Sequence, residues 1–242
     1  MEPHIFERAT SYPYRIPKRS FVLRNGKDYP LSATDPLPIL ERRTAVLAVG
    51  SNQSPEQLAR KFTKNHWEEI PVIRSRISNF DSVYSPHIAP YGSIAATLQH
   101  APGVELTLFV TWLTPPQLQR MHETEIANAN YVYGCLDGVQ VTCEFGPNLK
   151  TVHIYNSSHG TLSFKNAPIP LAEIPAKNRR WNAMSQIEVQ NYIRQRLAPK
   201  QDLPTFIQEA VDDPLVRRER TNALRQDTRP FNYPNFRELA LQ

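Results

Sequence analysis

The sequence predicts an α+β protein, and three observations carry that reading. An apolar run over residues 44–49 ends in Gly50-Ser51-Asn52 and gives way at once to a helix start. Further stretches around residues 71–84, 91–98 and 104–113 are rich in Val, Ile, Thr and aromatic residues, as strands are. After Pro168, apolar residues recur at helical spacing instead.

Taken in order, residues 1–40 contain six prolines, Pro3, Pro13, Pro17, Pro30, Pro36 and Pro38, with aromatics between them. Such a stretch resists helix and central strand alike. It predicts an extended arm, or a partly disordered one, packed through Phe6, Tyr12, Tyr14 and Phe21. Residues 44–49 read as a buried strand and 55–65 as a helix, with Pro55 at its first position and Ser54 and Gln57 spaced as a capping box. Pro102-Gly103 marks a turn between two strands, and Asp137-Gly138 a hairpin turn within residues 131–145. A further strand fits residues 150–156. Thr114 and Gln117 make a second capping box, Ser185 and Glu188 a third. Phe206, Ile207, Ala210 and Val211 form another helical stripe ended by Pro214, and a last helix fits residues 215–226. The organisation expected is an arm (1–40), a core domain (41–168) and a helical C-terminal extension (169–242) that packs on the core or on a second copy.

The chain has 242 residues, 40% of them hydrophobic, and a mean hydropathy of −0.49. No apolar run approaches the roughly 20 residues that cross a bilayer, and the N-terminus has no apolar signal core. A cytoplasmic protein without membrane contact is expected. The net charge of +5 resides in the two flanks, while residues 41–170 are neutral. Arg217-Arg218-Glu219-Arg220 is interrupted by an acid, so solvated surface is favoured over a nucleic-acid footprint. In the hairpin reading, Cys135 and Cys143 do not face each other, which argues against a disulfide; two thiols also make no zinc site.

The strand-to-helix junction at Gly50 leaves backbone N–H groups that favour an anion or a developing oxyanion. Gly50 lets a ligand approach the main chain closely. In the helix that opens at Thr114, Leu118, Met121, His122 and Glu125 share one face, so Glu125 points inward and Glu123 away. A buried, unpaired carboxylate gains a raised pKa and can serve as base and acid near neutrality. Two other outcomes remain open: the helix ends before Glu125, or Glu125 pairs with an arginine such as Arg74 or Arg76. Periodicity alone favours these over catalysis. Ser51 lies in no Gly-x-Ser-x-Gly elbow, no histidine pair has metal-ligand spacing, and neither a dinucleotide fingerprint nor a phosphate loop is present.

Three motifs together resemble the gamma-glutamylcyclotransferase-like superfamily. Val49-Gly50-Ser51-Asn52 is similar to its Tyr-Gly-Ser-Asn strand end, with Val for Tyr. Ser93-Ile94-Ala95-Ala96-Thr97 resembles its Gly-x-x-Ala-Thr strand. Met121-His122-Glu123-Thr124-Glu125, followed by Tyr131, resembles its Leu-Asp-x-x-Glu helix and nearby Tyr, with Met for Leu and His for Asp. The resemblance covers residues 44 to about 155 and leaves both flanks unexplained. It implies a small mixed β-barrel flanked by helices, with the active cavity at the barrel mouth. It further implies Glu125 as general acid/base, a substrate site of Val49, Gly50, Ser51, Asn52 and Tyr131, and release of 5-oxoproline from a γ-glutamyl amine or peptide. No metal or cofactor is implied. Val49 removes an aromatic hydroxyl from the expected cavity wall, and His122 alters the neighbour of the base.

Three functions compete on this reading. The first is the cyclising enzyme. The second is a non-catalytic protein that binds a small metabolite and contacts a partner, or a second copy of itself, through the C-terminal helices. The third uses the basic flanks on RNA or DNA.

Overall fold

The computed structural model describes residues 3–32, 40–63, 67–126 and 129–241. Five strands close a barrel: β3 (Thr44–Ala48), β4 (Ile70–Ile88), β5 (Ile94–Leu113), β6 (Tyr131–Cys143) and β7 (Leu149–Ser157). Strand β3 pairs antiparallel with β5, β5 with β4, β4 with β6 and β6 with β7. The circuit closes where β7 returns parallel to β3, with Val46 opposite His153. That one parallel contact makes the barrel mixed, as the motifs implied. Side chains alternate along β3: Leu47 and Val49 enter one core cluster, Val46 and Ala48 another.

Helices α2 (Pro55–Lys61) and α3 (Pro115–Glu125) cover the second cluster through Leu58 and Met121. The predicted box at the start of α3 forms, with Gln117 Oε1 accepting from Thr114 N–H at 2.9 Å. The box predicted at Ser54 does not form. Ser54 Oγ is buried without a partner among the described residues, and Gln57 lines a cavity instead of turning back. The predicted end of that helix at Asn65 lies outside the described residues.

Both turn predictions in the barrel are corrected. β5 runs unbroken through Pro102-Gly103, and β6 through Asp137-Gly138. Gly103 and Gly138 take the positive φ (86° and 70°) that makes such pairs good turn formers, but here they sit at irregularities of continuous ladders. Cys135 therefore faces His153 of β7, and both cysteines are free.

Over residues 3–32 the N-terminal segment is not an extended arm. Residues 3–10 form α1 (Pro3–Thr10), and β1 (Phe21–Arg24) and β2 (Lys27–Pro30) make a hairpin that joins the barrel through β4. Pro3 is tolerated because it opens the helix, where its missing N–H is not needed. Phe6 and Tyr14 pack on the core, while Tyr12 and Phe21 are buried in it. Pro36 and Pro38 lie outside the described residues.

Beyond the barrel come β8 (Thr161–Phe164), β9 (Ala167–Pro168) and β10 (Ala176–Lys177), then α4 (Gln186–Leu197), α5 (Leu203–Asp212) and α6 (Pro214–Leu224). Two short strands end the chain, β11 (Thr228–Arg229) on β8 and β12 (Phe236–Glu238) on β6. The capping box at the start of α4 forms, with Ser185 N–H donating to Glu188 Oε2 at 2.7 Å. The helices pack on the core. Gln186 clamps the backbone of Ile94, with its amide oxygen accepting at 2.8 Å and its amide nitrogen donating at 3.0 Å. Thr221 Oγ1 accepts from Ile88 N–H at 3.2 Å. Among the described residues, no helix is long and apolar enough to span a membrane.

Candidate active site

A cavity of about 380 Å³ opens where β3 ends, beside the last turns of α2 and α3. Val49, Gly50, Ser51, Asn52, Glu125 and Tyr131, separated by up to 82 positions, all line it. Each is delivered by an element end. β3 stops at Ala48 and a single tight turn over Ser51–Gln53 follows; Ser82 Oγ fixes Val49 by donating to its carbonyl at 2.6 Å. Glu125 is the last residue of α3, on the same side as buried Met121, while Glu123 turns outward to Arg120. Tyr131 opens β6 and donates to Ala96 O at 2.8 Å.

Glu125 is joined directly to the junction: Asn52 Nδ2 donates to its Oε1 at 3.1 Å. The same oxygen accepts from Lys61 Nζ in a close ion pair, with side-chain exposures of 9% and 15%. Lys61 is the last residue of α2, where a cation complements the helix dipole. Arg120 Nε donates to its carbonyl at 3.0 Å, which ties α2 to α3. Two sequence expectations are thereby corrected. The counter-ion is Lys61, not Arg74 or Arg76. The carboxyl pKa is not raised: burial pushes it up, but the Lys61 ammonium and the hydrogen bonds from Lys61 and Asn52 outweigh burial and hold it below the ordinary value. Glu125 is therefore an ionised carboxylate on a cavity wall.

Burial pushes His87 down to about 4, and its Nδ1 shares a hydrogen with Ser85 Oγ at 2.9 Å. His122 does not bond to Glu125; its Nδ1 meets the Tyr155 hydroxyl at 2.7 Å. Asn52 Oδ1 and Gln57 Oε1, both on lining residues, are buried without partners among the described residues. No group of described side chains could hold a metal ion.

Among the lining residues that sequence reasoning did not place at the site are Lys61, Tyr12 and Arg217. Tyr12 follows α1, and its hydroxyl accepts from Ala96 N–H at 2.9 Å and from Ser51 N–H at 3.4 Å. Arg217, in α6, is held by the carbonyls of Ala210 and Val211 at 2.6 and 3.3 Å. So both flanks reach the cavity. The room left by Gly50 is filled by the protein itself: a Cβ there would lie 2.2 Å from Tyr12 Oη and 2.7 Å from Ala96 Cβ. Gly50→Ala is expected to cost about 1–3 kcal/mol, the usual range for overpacking. Urea unfolding should show the loss, and adding Tyr12→Phe should return part of it because the hydroxyl is the nearest obstacle. Equal stability of Gly50→Ala and wild type would refute the packing described here.

No protein-family model matches the sequence, and no curated protein does. Among solved structures, the chain is similar to a gamma-glutamyl cyclotransferase at 14% identity, over 79% of this chain and 91% of that one, with a TM-score of 0.40. It is similar to an uncharacterized protein from Homo sapiens at 15% identity, over 80% and 92%, with a TM-score of 0.41. A protein from Arabidopsis thaliana known from a solution structure matches at 16% identity, over 52% and 74%, with a TM-score of 0.36.

Proposed function

We propose that this chain is a gamma-glutamyl cyclotransferase-type enzyme, converting a γ-glutamyl amine or peptide into 5-oxoproline and a free amine, with Glu125 as general base and then general acid. The observation that carries the reading is the Glu125 carboxylate, linked through Asn52 to the Gly50 junction and open to the cavity. Lys61 pairs with Glu125 without sealing it, since both line the same space.

The chemistry follows from that state. The substrate α-ammonium must lose a proton before its nitrogen can attack the γ-carbonyl carbon. An ionised carboxylate is ready to take it. The new C–N bond closes a five-membered ring, and the carbonyl oxygen gains negative charge. Glu125, now protonated beside the Lys61 ammonium, is a stronger acid than a lone carboxyl because its conjugate base is the favoured partner of Lys61. It returns the proton to the departing nitrogen as the original amide C–N bond breaks. The ring nitrogen sheds its second proton to the vacated Glu125 carboxylate, which passes it to the freed amine, so atoms and protons balance with no added reagent. Asn52 orients the carboxylate through both steps.

Glu125→Gln is expected to lower kcat for 5-oxoproline release by about 10²–10⁴-fold, the range for losing a positioned acid–base group. Its circular dichroism should match that of wild type. The assay takes a panel of γ-glutamyl amino acids, peptides and amines, with 5-oxoproline quantified by chromatography. A panel without product, or full activity in the Gln variant, would overturn the proposal. The buried ion pair favours one other reading, a metabolite-binding protein without turnover. It predicts thermal stabilisation by a panel member with no product formed.

A further inference from the structure

The N–H-rich junction at Gly50 is where a developing oxyanion was expected to bind. Yet its Ser51 N–H already has a partner, the Tyr12 hydroxyl. Tyr12 Oη accepts two backbone N–H bonds, from Ala96 and Ser51, and stands where a residue 50 side chain would be. No acceptor for its own hydrogen exists among the described residues. The residue lines the same cavity as Glu125. A hydroxyl that accepts two hydrogen bonds is polarised and becomes a better donor through the third. Burial holds its pKa well above the usual phenol value, so it stays protonated.

We infer that Tyr12, delivered by the N-terminal segment, is the catalytic donor to the carbonyl oxygen of the ligand, and that the Gly50–Ser51 backbone acts through it. This deepens the reading above and rests on it. When the nitrogen attacks, the electron pair of the C=O bond moves onto oxygen, and the Tyr12 O–H points at that charge. Ser51 and Ala96 N–H hold the phenol in place and share the charge along the chain of hydrogen bonds. The hydrogen bond strengthens as charge grows, which is the condition for lowering a barrier rather than only tightening binding. The hydroxyl that Val49 fails to supply at the motif position enters from 37 residues upstream.

The test compares wild type, Tyr12→Phe and Tyr14→Phe. Tyr14 is the neighbouring aromatic, with its ring centroid 5.9 Å from that of Tyr12, and it does not line the cavity. Tyr12→Phe should lower kcat about 10²–10³-fold, the range for one lost oxyanion donor, with KM changed less than about threefold. Tyr14→Phe should keep wild-type rates. Binding of 5-oxoproline, whose lactam oxygen is the same atom, should weaken at least about fivefold in Tyr12→Phe, equivalent to one modest hydrogen bond. Unchanged kcat in folded Tyr12→Phe overturns the inference while leaving the cyclase reading intact. A wild type that binds 5-oxoproline but turns nothing over removes the cyclase reading, and the binding comparison then decides the role of Tyr12 as donor. A wild type that does neither overturns both.

Should Tyr12→Phe not fold, amide NMR on the wild type replaces it. If Tyr12 donates to the ligand, hydrogen exchange at Ser51 and Ala96 slows when 5-oxoproline binds, since a donating phenol accepts more strongly. Faster exchange at both amides would mean that the ligand displaces Tyr12 and takes the backbone directly. That result also overturns the inference.

Discussion

Arg179→Ala is expected to destabilise the fold by about 3–5 kcal/mol at pH 8, the cost of stranding one partner of a buried ion pair. Asp81, in β4, is completely buried, and Arg179 Nε reaches its two oxygens at 3.1 and 3.3 Å. Burial pushes the Asp81 carboxyl up to about 6 even though the Arg179 charge and hydrogen bond pull it down. Without Arg179 the burial contribution is unopposed and the pKa climbs further. An acid whose folded pKa exceeds its unfolded value of about 3.9 loses stability as pH rises between the two values. The deficit of Arg179→Ala should therefore shrink on going from pH 8 to pH 5, where the stranded carboxyl is protonated and uncharged.

The comparison must be variant against wild type at each pH. His87, pushed down to about 4, opposes the Asp81 slope: its folded pKa lies below the unfolded value of about 6.5, so its contribution falls as pH drops through that interval. Urea unfolding at both pH values gives the two differences. Adding Asp81→Asn to Arg179→Ala should recover at least about 1 kcal/mol at pH 8 by removing the stranded charge. Equal deficits at pH 5 and pH 8 would mean that Asp81 is not the charged group Arg179 serves.

Local signals were legible where one element decides the outcome. β3, the inward face of α3 and the stripes of α4 and α5 follow from periodicity, because each buries one face against a continuous core. The misreadings share a cause. Pro102-Gly103 and Asp137-Gly138 satisfy turn chemistry, but β4 pairs with β5 from Val72 to Ile88, and that long ladder carries the chain straight through the first pair. A positive φ serves a bulge as well as a turn, and the sequence does not say which.

The site divides in the same way. Glu125 and the Gly50 junction announce themselves locally, by periodicity and by a strand that stops before a helix. Lys61 and Tyr12 do not. Lys61 ends α2, where a basic residue is ordinary, and its partner lies 64 positions away. Tyr12 sits in a proline-rich stretch, and its two bonds span 39 and 84 positions. Long-range partners of this kind leave no periodic trace. One signal was available: the hydroxyl missing at Val49 left a gap in the expected cavity wall, and a buried aromatic from a flank could fill it.

Lys61→Met should uncouple the two roles of the ion pair, in activity and in stability. Methionine keeps an unbranched apolar stem, suited to the place where Lys61 Nζ now lies 3.6 Å from Met121 Sδ, and removes the charge together with the hydrogen bond to Glu125. Burial then governs Glu125, and its pKa moves from below the ordinary carboxylate value to above it. The acid limb of the kcat/KM profile should shift upward by at least about one pH unit, equivalent to about 1.4 kcal/mol of lost preference for the ionised form. The variant should thus lose more activity at pH 6 than at pH 8. Stability responds with the opposite sign. In wild type, the depressed pKa of Glu125 contributes stability above its unfolded value of about 4.3, and this is lost as pH falls through the folded value. In Lys61→Met the folded value lies above 4.3, so stability instead declines as pH rises from there through it. The stability deficit against wild type is expected to reach about 3–5 kcal/mol at pH 8, as for other broken buried pairs, and to be smaller at pH 5. An acid limb unmoved by the substitution would show that another group sets it, and Glu125 would then lose its place as the base.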